Sequence, residues 1–234
     1  CWQRTGLRPR PMSPHPDTPP PVLLAGATGL VGRALLSQLL DAGHRPVHVL
    51  LRRTPQQPLR DGARAHVVDY AALPSLPAAP WALCAIGTTM AQAGSEAAFR
   101  AADHDAVLAF ATAARAAGTT RFGVVSALGA DPHSRTFYNR VKGEVEQALR
   151  ALGFEYLVIA RPSLLDGARE GLGQPTRPAE ALALALTRPV ARWLPRAWRP
   201  VQPAQVARAL RQAMRDAPRG VHGIASADMH RKEN

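Results

Sequence analysis

The chain has 234 residues, of which 46% are hydrophobic and 20% are charged. This length and composition exclude a wholly disordered protein and favour one large globular domain. The two cysteines, Cys1 and Cys84, exclude a disulfide framework and an all-cysteine zinc site. No uncharged apolar run approaches the roughly 18 residues of a transmembrane helix, so we expect no membrane span.

The net charge is +12, because 29 lysine and arginine residues outnumber 17 acidic ones. All of these cations except Lys142 and Lys232 are arginines, and they are scattered along the chain rather than gathered in a basic tract. We therefore expect no nucleic-acid partner. A generally basic surface is still expected to attract anionic ligands such as phosphates.

The first 21 residues are rich in proline, which disfavours both a helix and a central strand. We expect residues 1–21 to be a disordered leader. Our hypothesis is that Met12 is the natural start and that residues 1–11 are an artefact. No apolar segment follows the first basic residues before Pro21, so we expect no secretory signal and, by default, a cytoplasmic location.

From Val22 onward, short apolar strands alternate with helices of helical apolar spacing. Strands are predicted over residues 22–25, 46–51, 65–68, 81–86, 121–126, 154–160 and, near the end of the chain, 221–225. Helices are predicted over residues 31–42, 95–117, 136–152, 178–186 and 203–216.

Strands that are apolar on both faces and separated by helices predict a parallel sheet covered on both sides. The expected fold class is therefore α/β, a doubly wound parallel sheet of the Rossmann type. Residues 22–234 are expected to form one dinucleotide-binding domain, to which residues 162–234 contribute a small C-terminal lobe on the substrate side.

A glycine motif, GATGLVG over residues 26–32, follows the first strand and opens the first helix. Gly26 allows a tight turn, Gly29 lets the backbone approach a pyrophosphate, and Gly32 lets the helix pack close to the sheet. The start of the helix then offers free N–H groups to the phosphates. The alternative is a plain tight turn, but the order of strand, loop and helix favours dinucleotide binding.

The end of the second strand favours NADP(H) over NAD(H). An NAD site usually has Asp or Glu there, whereas this chain has Arg52 and Arg53. A carboxylate would repel a 2′-phosphate, while a guanidinium can bind it through two parallel hydrogen bonds. The alternative is that both are ordinary surface arginines. Beyond the third and fourth strands, the adenosine side is predicted to be contacted by Asp69, Ile86, Gly87 and Thr88.

Tyr138 and Lys142 lie four residues apart, which places both side chains on one face of a predicted helix. A nearby ammonium lowers the pKa of a phenol, so Tyr138 is expected to exchange a proton with a carbonyl or alcohol oxygen. Ser126, at the end of the preceding strand, can donate a hydrogen bond to the same oxygen. The alternative is that Lys142 pairs with Glu146 on a solvated helix face.

Together these motifs resemble the atypical branch of the short-chain dehydrogenase/reductase superfamily, and within it the HIV-Tat-interacting-protein-like group. The segments that carry the resemblance are residues 24–29, 84–89, 126–131, 138–144 and 161–163. The resemblance implies a catalytic triad of Ser126, Tyr138 and Lys142. It also implies that NADP(H) is held by Gly26, Thr28, Gly29, Leu30, Val31, Arg52, Arg53 and Lys142, with Pro162 near the nicotinamide amide.

The expected function is hydride transfer between NADP(H) and a small carbonyl or alcohol. Many members of the superfamily add an asparagine for proton relay, but Asn139 and Asn234, the chain's two asparagines, are not suitably placed. This departure and the short C-terminal part leave open a second hypothesis, an NADPH-binding sensor or assembly factor without turnover. The expected partner is a small-molecule substrate, and the protein is expected to be a monomer or homodimer.

Two further features are interpreted as structural. Asp103, His104 and Asp105 resemble a metal cluster, but adjacent helical side chains diverge, so we expect no metal and interpret the segment as a solvated helix. Cys84 lies in an apolar strand and is interpreted as a small core residue rather than a reactive thiol.

Overall fold

The computed structural model describes residues 19–166 and 195–230 of the chain. The leader up to residue 18, the predicted helix over 178–186 and residues 231–234 lie outside the described residues. The strands are β1 (Val22–Ala25), β2 (Val47–Leu51), β3 (Ala63–Val67), β4 (Trp81–Cys84), β5 (Arg121–Val125), β6 (Tyr156–Arg161) and β7 (Gly220–Ala225).

These strands form a seven-stranded parallel sheet in the order β3-β2-β1-β4-β5-β6-β7. The predicted doubly wound α/β fold is therefore confirmed. All four residues of β1 are buried, which explains its uninterrupted apolar sequence. Side chains alternate along β1, so that Val22 and Leu24 enter the apolar layer on one face and Leu23 and Ala25 enter the layer on the other.

Six α-helices are described, and they are α1 (Leu30–Asp41), α2 (Met90–Ala93), α3 (Glu96–Arg100), α4 (Ala106–Ala116), α5 (Phe137–Ala151) and α6 (Pro203–Asp216). A π-helical turn over Ala101–Asp105 joins α3 to α4, so the three segments form the one long helix predicted over 95–117. Helix α2 was not predicted, because a single turn has no apolar periodicity. None of the described helices combines the length and hydropathy of a membrane span.

The described C-terminal residues complete the main domain. Helix α6 packs on α1, and its Val206, Leu210 and Met214 are buried in the same apolar layer as Val22. Strand β7 extends the sheet beside β6. The prediction of a small lobe within residues 162–234 falls partly on residues 167–194, which lie outside the described residues.

The sheet reverses its direction of growth at β1, which lies between β2 and β4. In sheets of this kind, ligands bind in the crevice beyond the carboxyl ends of the strands at the reversal. Gly26 follows β1, Gly87 lies beyond β4, and Ser126 follows β5, so the topology brings three predicted site segments to the same edge.

Helix α5 is seated closely on the loop that follows β5. A Cβ atom at Gly143 would clash with the backbone of Asp131 and Pro132. The backbone N–H of Asp131 donates to the carbonyl oxygen of Asn139, at 3.0 Å. This close packing fixes α5 relative to the carboxyl end of β5, and with it the side chains that α5 presents.

Gly143→Ala is expected to destabilise the protein. Alanine favours an exposed helix by about 1 kcal/mol over glycine, but a Cβ clash with backbone costs about 3 kcal/mol and dominates. Urea denaturation measures the difference. Gln147→Ala, at an exposed position of the same helix, is the control and should change the free energy of unfolding by less than about 0.5 kcal/mol. Equal stability of both variants would contradict the close packing.

Candidate cofactor-binding and active site

The glycine loop approaches the neighbouring strand more closely than any side chain would permit. Gly26 has a φ of 82°, and a Cβ atom there would clash with the backbone after β4 at Ala85. A Cβ atom at Gly32 would clash with the Gly26 carbonyl. These two positions therefore require glycine for the reasons that the motif predicts, a tight turn and close packing of helix on strand.

The amino end of α1 fits a diphosphate. The helix begins at Leu30, so the N–H groups of Leu30, Val31 and Gly32 have no acceptor within the helix. Gly29 provides no capping side chain, and the first turn carries no acidic residue. A Cβ atom at Gly29 would meet a single atom within 4 Å, the Gly26 carbonyl oxygen, which leaves the loop open. Unpaired N–H groups and an uncompensated helix dipole are what a dinucleotide diphosphate requires.

Three arginines lie around this loop. Arg52 and Arg53 follow β2 and are exposed, and β2 pairs with β1 so that Leu50 lies beside Ala25. Arg33, which the sequence analysis missed, donates from Nε to the carbonyl oxygen of Thr28 at 3.2 Å. Its position directly after the third glycine of the motif was the signal that could have identified it.

The residues predicted to contact the adenosine side follow β3 and β4. Asp69 is exposed, and its Oδ1 accepts a hydrogen bond from the backbone N–H of Ala71, at 2.9 Å. Ile86 packs against the core, whereas Gly87 is exposed. Cys84 is fully buried, and burial raises the pKa of its thiol to about 12, so the core interpretation is confirmed.

A buried ion pair joins α5 to the long helix after β4. Lys142 Nζ lies 2.5 Å from Asp103 Oδ1, and the two residues are 5% and 0% exposed. Asp103 Oδ2 accepts a hydrogen bond from the backbone N–H of Thr88, at 2.7 Å. Lys142 therefore pairs with Asp103, and the alternative pairing with Glu146 is wrong.

Burial is the largest single influence on Lys142 and lowers its pKa, but the Asp103 carboxylate raises it. Together with Tyr138 it holds the pKa of Lys142 above its usual value. The ammonium is thus charged at neutral pH, as the predicted chemistry requires. Its charge is compensated by a neighbouring carboxylate, which the sequence analysis did not foresee.

The interpretation of residues 103–105 as a solvated segment is wrong for Asp103. Asp103 lies in the π-helical turn, whose wider ring changes the direction of the side chains relative to an α-helix. The three side chains do diverge as predicted, because Asp105 is 64% exposed while Asp103 is buried. Within the described residues no group of three or more metal-ligating side chains could hold a metal ion.

Tyr138 and Lys142 contact the same neighbouring helix. The Tyr138 ring packs against the buried Phe99 ring with centroids 5.4 Å apart. Phe99 and Asp103 are four residues apart, as are Tyr138 and Lys142, so two helix faces meet in two adjacent contacts. This pairing places the phenol and the ammonium on one side of α5, as predicted.

Ser126 belongs to a second buried cluster. Its hydroxyl donates to Glu146 Oε1 at 2.7 Å, and Glu146 is 2% exposed. Arg161 donates from Nε to Oε1 at 2.9 Å and from Nη2 to Oε2 at 2.5 Å, and Arg150 adds a contact of 3.1 Å to Oε2. The single hydroxyl proton of Ser126 is therefore directed to Glu146 rather than into the crevice.

The Glu146 cluster is close to the predicted nicotinamide side. Pro162, which directly follows Arg161, is buried, and its carbonyl oxygen accepts from the backbone N–H of Leu128 at 2.8 Å. Burial would raise the pKa of Glu146, but the hydrogen bonds from Arg161 and Ser126 hold it below its usual value. The buried carboxylate is therefore ionised and anchors the ends of β5 and β6 to α5.

The described part of the chain thus brings Tyr138 and Lys142 together and places Ser126 in the neighbouring cluster. Besides Arg33, sequence reasoning missed the roles of Asp103, Glu146 and Arg161. Glu146 follows Lys142 by four residues, so its position on the same helix face was a usable signal. Nothing in the sequence distinguished Asp103 from an exposed helical carboxylate.

Comparison with known proteins shows similarity in sequence. The NAD(P)H-binding family matches residues 26–192. The mitochondrial protein fmp52 of Emericella nidulans is 38% identical over 176 residues, which cover 69% of this chain and 72% of that protein. The fmp52 protein of Aspergillus fumigatus is 39% identical over 170 residues, with coverages of 68% and 71%.

Solved structures share the fold. MoeE5 in complex with UDP-glucuronic acid and NAD aligns with a TM-score of 0.66 and 20% identity, over 87% of this chain and 75% of that chain. The Bordetella bronchiseptica enzyme WbmF in complex with NAD+ aligns with a TM-score of 0.65 and 17% identity, over 91% and 77%. At these identities the similarity concerns the architecture.

The predicted cytoplasmic location is contradicted by the similar relatives, which are named as mitochondrial proteins. The prediction was wrong because it relied on the lack of a secretory signal. A secretory signal concerns export from the cell and carries no information about targeting to mitochondria.

Glu146→Gln is expected to destabilise the fold by about 2 kcal/mol near neutral pH, because it removes the charge that faces Arg161. Folding lowers the pKa of Glu146 from its usual value of 4.5. Its contribution is therefore full above that value and is lost as the pH falls through the lower pKa of the folded state.

The measurement is the difference in unfolding free energy between wild type and variant from pH 7 to pH 3. The difference should shrink as the pH falls below 4.5. Glu144→Gln is the matched control, since Glu144 pairs with the partly exposed Arg100 and should cost less than about 1 kcal/mol. A difference independent of pH would contradict the assignment.

Proposed function

Because the chain belongs to the NAD(P)H-binding family, we propose that it is an NADP(H)-dependent oxidoreductase acting on a small carbonyl or alcohol. We place it in the atypical short-chain dehydrogenase/reductase branch, in the HIV-Tat-interacting-protein-like group. The observation that carries the proposal is the placement of Tyr138 and Lys142 together, at the sheet edge that also holds the glycine loop.

The open glycine loop and the arginines near it indicate which residues would hold the dinucleotide. The diphosphate would be bound by the N–H groups of residues 30–32, and the 2′-phosphate by Arg52 and Arg53, with Arg33 close by. When bound, the dinucleotide would supply or accept the hydride at the substrate carbon.

Tyr138 is proposed as the general acid and base. In the direction of reduction, its phenol gives a proton to the carbonyl oxygen as a new C–H bond forms at the carbonyl carbon, and a phenolate remains. The Lys142 ammonium stabilises that phenolate and has N–H donors beyond the one facing Asp103, which would bind the nicotinamide ribose. In oxidation the same groups act in reverse.

Ser126 would donate to the substrate oxygen only after its hydroxyl rotates away from Glu146. The hydroxyl hydrogen of a serine rotates freely about the Cβ–Oγ bond. Glu146 keeps both contacts with Arg161 when the Ser126 hydroxyl turns away. The proposed role of Ser126 therefore costs one buried hydrogen bond, about 1 kcal/mol, unless substrate replaces it.

A second candidate function is an NADPH-binding sensor or assembly factor without turnover. It is favoured because two proposed catalytic groups already have partners within the protein: Ser126 donates to Glu146, and Lys142 pairs with Asp103. It predicts that the protein binds NADPH but oxidises none with any carbonyl compound.

Tyr138→Phe is expected to lower NADPH oxidation over a panel of small aldehydes and ketones by about 100-fold or more, because the proposed proton donor is lost. NADPH binding, followed by fluorescence, should not change. Tyr156→Phe is the matched control, because Tyr156 lies at the opposite, amino-terminal end of β6. Equal turnover in both variants would exclude the catalytic assignment, and no turnover in wild type with intact NADPH binding would favour the sensor.

Replacing Arg52 and Arg53 together by alanine is expected to weaken NADPH binding by about tenfold to a hundredfold, because charge-assisted hydrogen bonds to the 2′-phosphate are lost. NADH affinity should stay within about twofold. Calorimetric titration with both dinucleotides measures this preference. Arg64→Ala, an exposed arginine on β3, is the control. Parallel losses of NADPH and NADH affinity would argue against 2′-phosphate recognition.

A further inference from the structure

We infer that Asp103 is a positioning residue for the reaction: its carboxylate keeps the Lys142 side chain charged and fixed in place beside Tyr138. The inference rests on the proposed function, because it assigns a purpose to the ion pair within that site. Asp103 is fully buried, so it acts through Lys142 rather than by contact with a bound substrate.

The carboxylate is held at two points. One oxygen lies 2.5 Å from the ammonium, and the other accepts the Thr88 backbone N–H at 2.7 Å. The Thr88 bond ties the loop after β4 to the π-helical turn. Asp103 is therefore fixed independently of Lys142, and the lysine side chain is oriented by a group that does not move with it.

Among the described residues, the carboxylate that pairs with the Lys142 ammonium is that of Asp103. The titratable groups that act on the ammonium are Asp103 on the π-helical turn, Cys84 at the end of β4 and Tyr138 on α5 itself. The Cys84 thiol is neutral at physiological pH. Glu146, one turn further along α5, is bound by arginines and Ser126. Removal of Asp103 would leave the ammonium without a compensating charge.

A buried lysine without a counter-ion loses its proton readily, with documented pKa values as low as about 5–6. A neutral amine would neither stabilise a phenolate nor donate as strongly to a ribose hydroxyl. The charge of Asp103 therefore maintains the protonated form of Lys142 that Tyr138 needs. The negative charge of Asp103 also weakens the electrostatic effect of the Lys142 ammonium on the Tyr138 phenol. How strongly Lys142 stabilises the phenolate therefore depends on how the lysine side chain is oriented.

The ion pair lies directly beneath the crevice. A Cβ atom at Gly87 would lie 3.7 Å from Asp103 Oδ1 and 3.9 Å from Lys142 Nζ, and Gly87 is exposed. The pair is therefore a close neighbour of Gly87, which the sequence predicts on the adenosine side of the cofactor. This location lets the pair act on the site while staying shielded from water.

The test uses the two lysines of the chain, Lys142 and Lys232, as its probes. In full-length protein labelled with ¹³C at the lysine ε carbon, NMR resolves two resonances whose titrations can be followed separately. In wild type, Lys142 should titrate at a higher pH than Lys232. In Asp103→Asn, the Lys142 titration should move down by about two pH units or more. Lys232 should not change.

Asp105→Asn is the matched control, because Asp105 is exposed and two residues away. It should leave the Lys142 titration and NADPH oxidation unchanged. Asp103→Glu should restore most of the wild-type titration. An identical Lys142 titration in wild type and Asp103→Asn would overturn the inference. If Asp103→Asn fails to fold, the wild-type spectrum still decides: a Lys142 that titrates below Lys232 overturns the inference.

The activity measurement separates this inference from the proposed function. Asp103→Asn should lower kcat for carbonyl reduction by about tenfold or more with a smaller change in the KM for NADPH, because chemistry depends on the charged lysine. If the wild-type protein turns over no carbonyl compound, the proposed function is wrong. The NMR titration needs no turnover, so it tests separately whether Asp103 keeps Lys142 charged.

Discussion

The structure around the site depends on the neutralisation of one buried ammonium. Lys142 is nearly inaccessible to water, and a charge in that position is tolerated only with a close, hydrogen-bonded counter-ion. Asp103 provides it from a different helix, so the electrostatic requirement becomes a structural constraint between α5 and the long helix after β4. The π-helical turn is the local distortion that lies at this contact. It places a buried charged residue at the contact between the two helices without interrupting either helix.

Helix α5 presents its site residues on a single face. Tyr138, Lys142 and Glu146 follow at intervals of four residues, and each has a different partner: the Phe99 ring, the Asp103 carboxylate and the Arg161 guanidinium. These contacts join α5 to the helix after β4 and to β6, while Gly143 holds it against the loop after β5. The face therefore cannot shift as a unit without breaking buried charged contacts. This rigidity suits a proton donor whose distance from the reacting atom must be controlled.

Two of the proposed catalytic groups have internal partners, and this has consequences for the chemistry. The ammonium of Lys142 acts as one end of a dipole rather than as an isolated charge, and the hydroxyl of Ser126 is directed to Glu146. Both arrangements would weaken the electrostatic stabilisation that Lys142 and Ser126 give to the proposed reaction. They also explain how a site rich in ionisable groups stays stable without ligand, because the buried charges of Lys142, Asp103 and Glu146 each have an opposite charge beside them. The glycine loop contrasts with this, since its open N–H groups are left for a ligand.

Sequence alone determined the fold and the local motifs, because these depend on short-range periodicity. Strands buried on both faces are apolar throughout, the turn at Gly26 and the close packing at Gly32 are marked by the glycine spacing of one β–α unit, and Tyr138 and Lys142 share a face through helical spacing. Only the tertiary structure decided which charges meet. Asp103 and Lys142 lie on different helices, and Ser126, Glu146 and Arg161 come from three elements, so their contacts depend on how β4, β5 and β6 align in the sheet. A carboxylate on a helix has the same local sequence signature whether it faces water or a buried lysine, because the pairing energy arises between elements rather than within one.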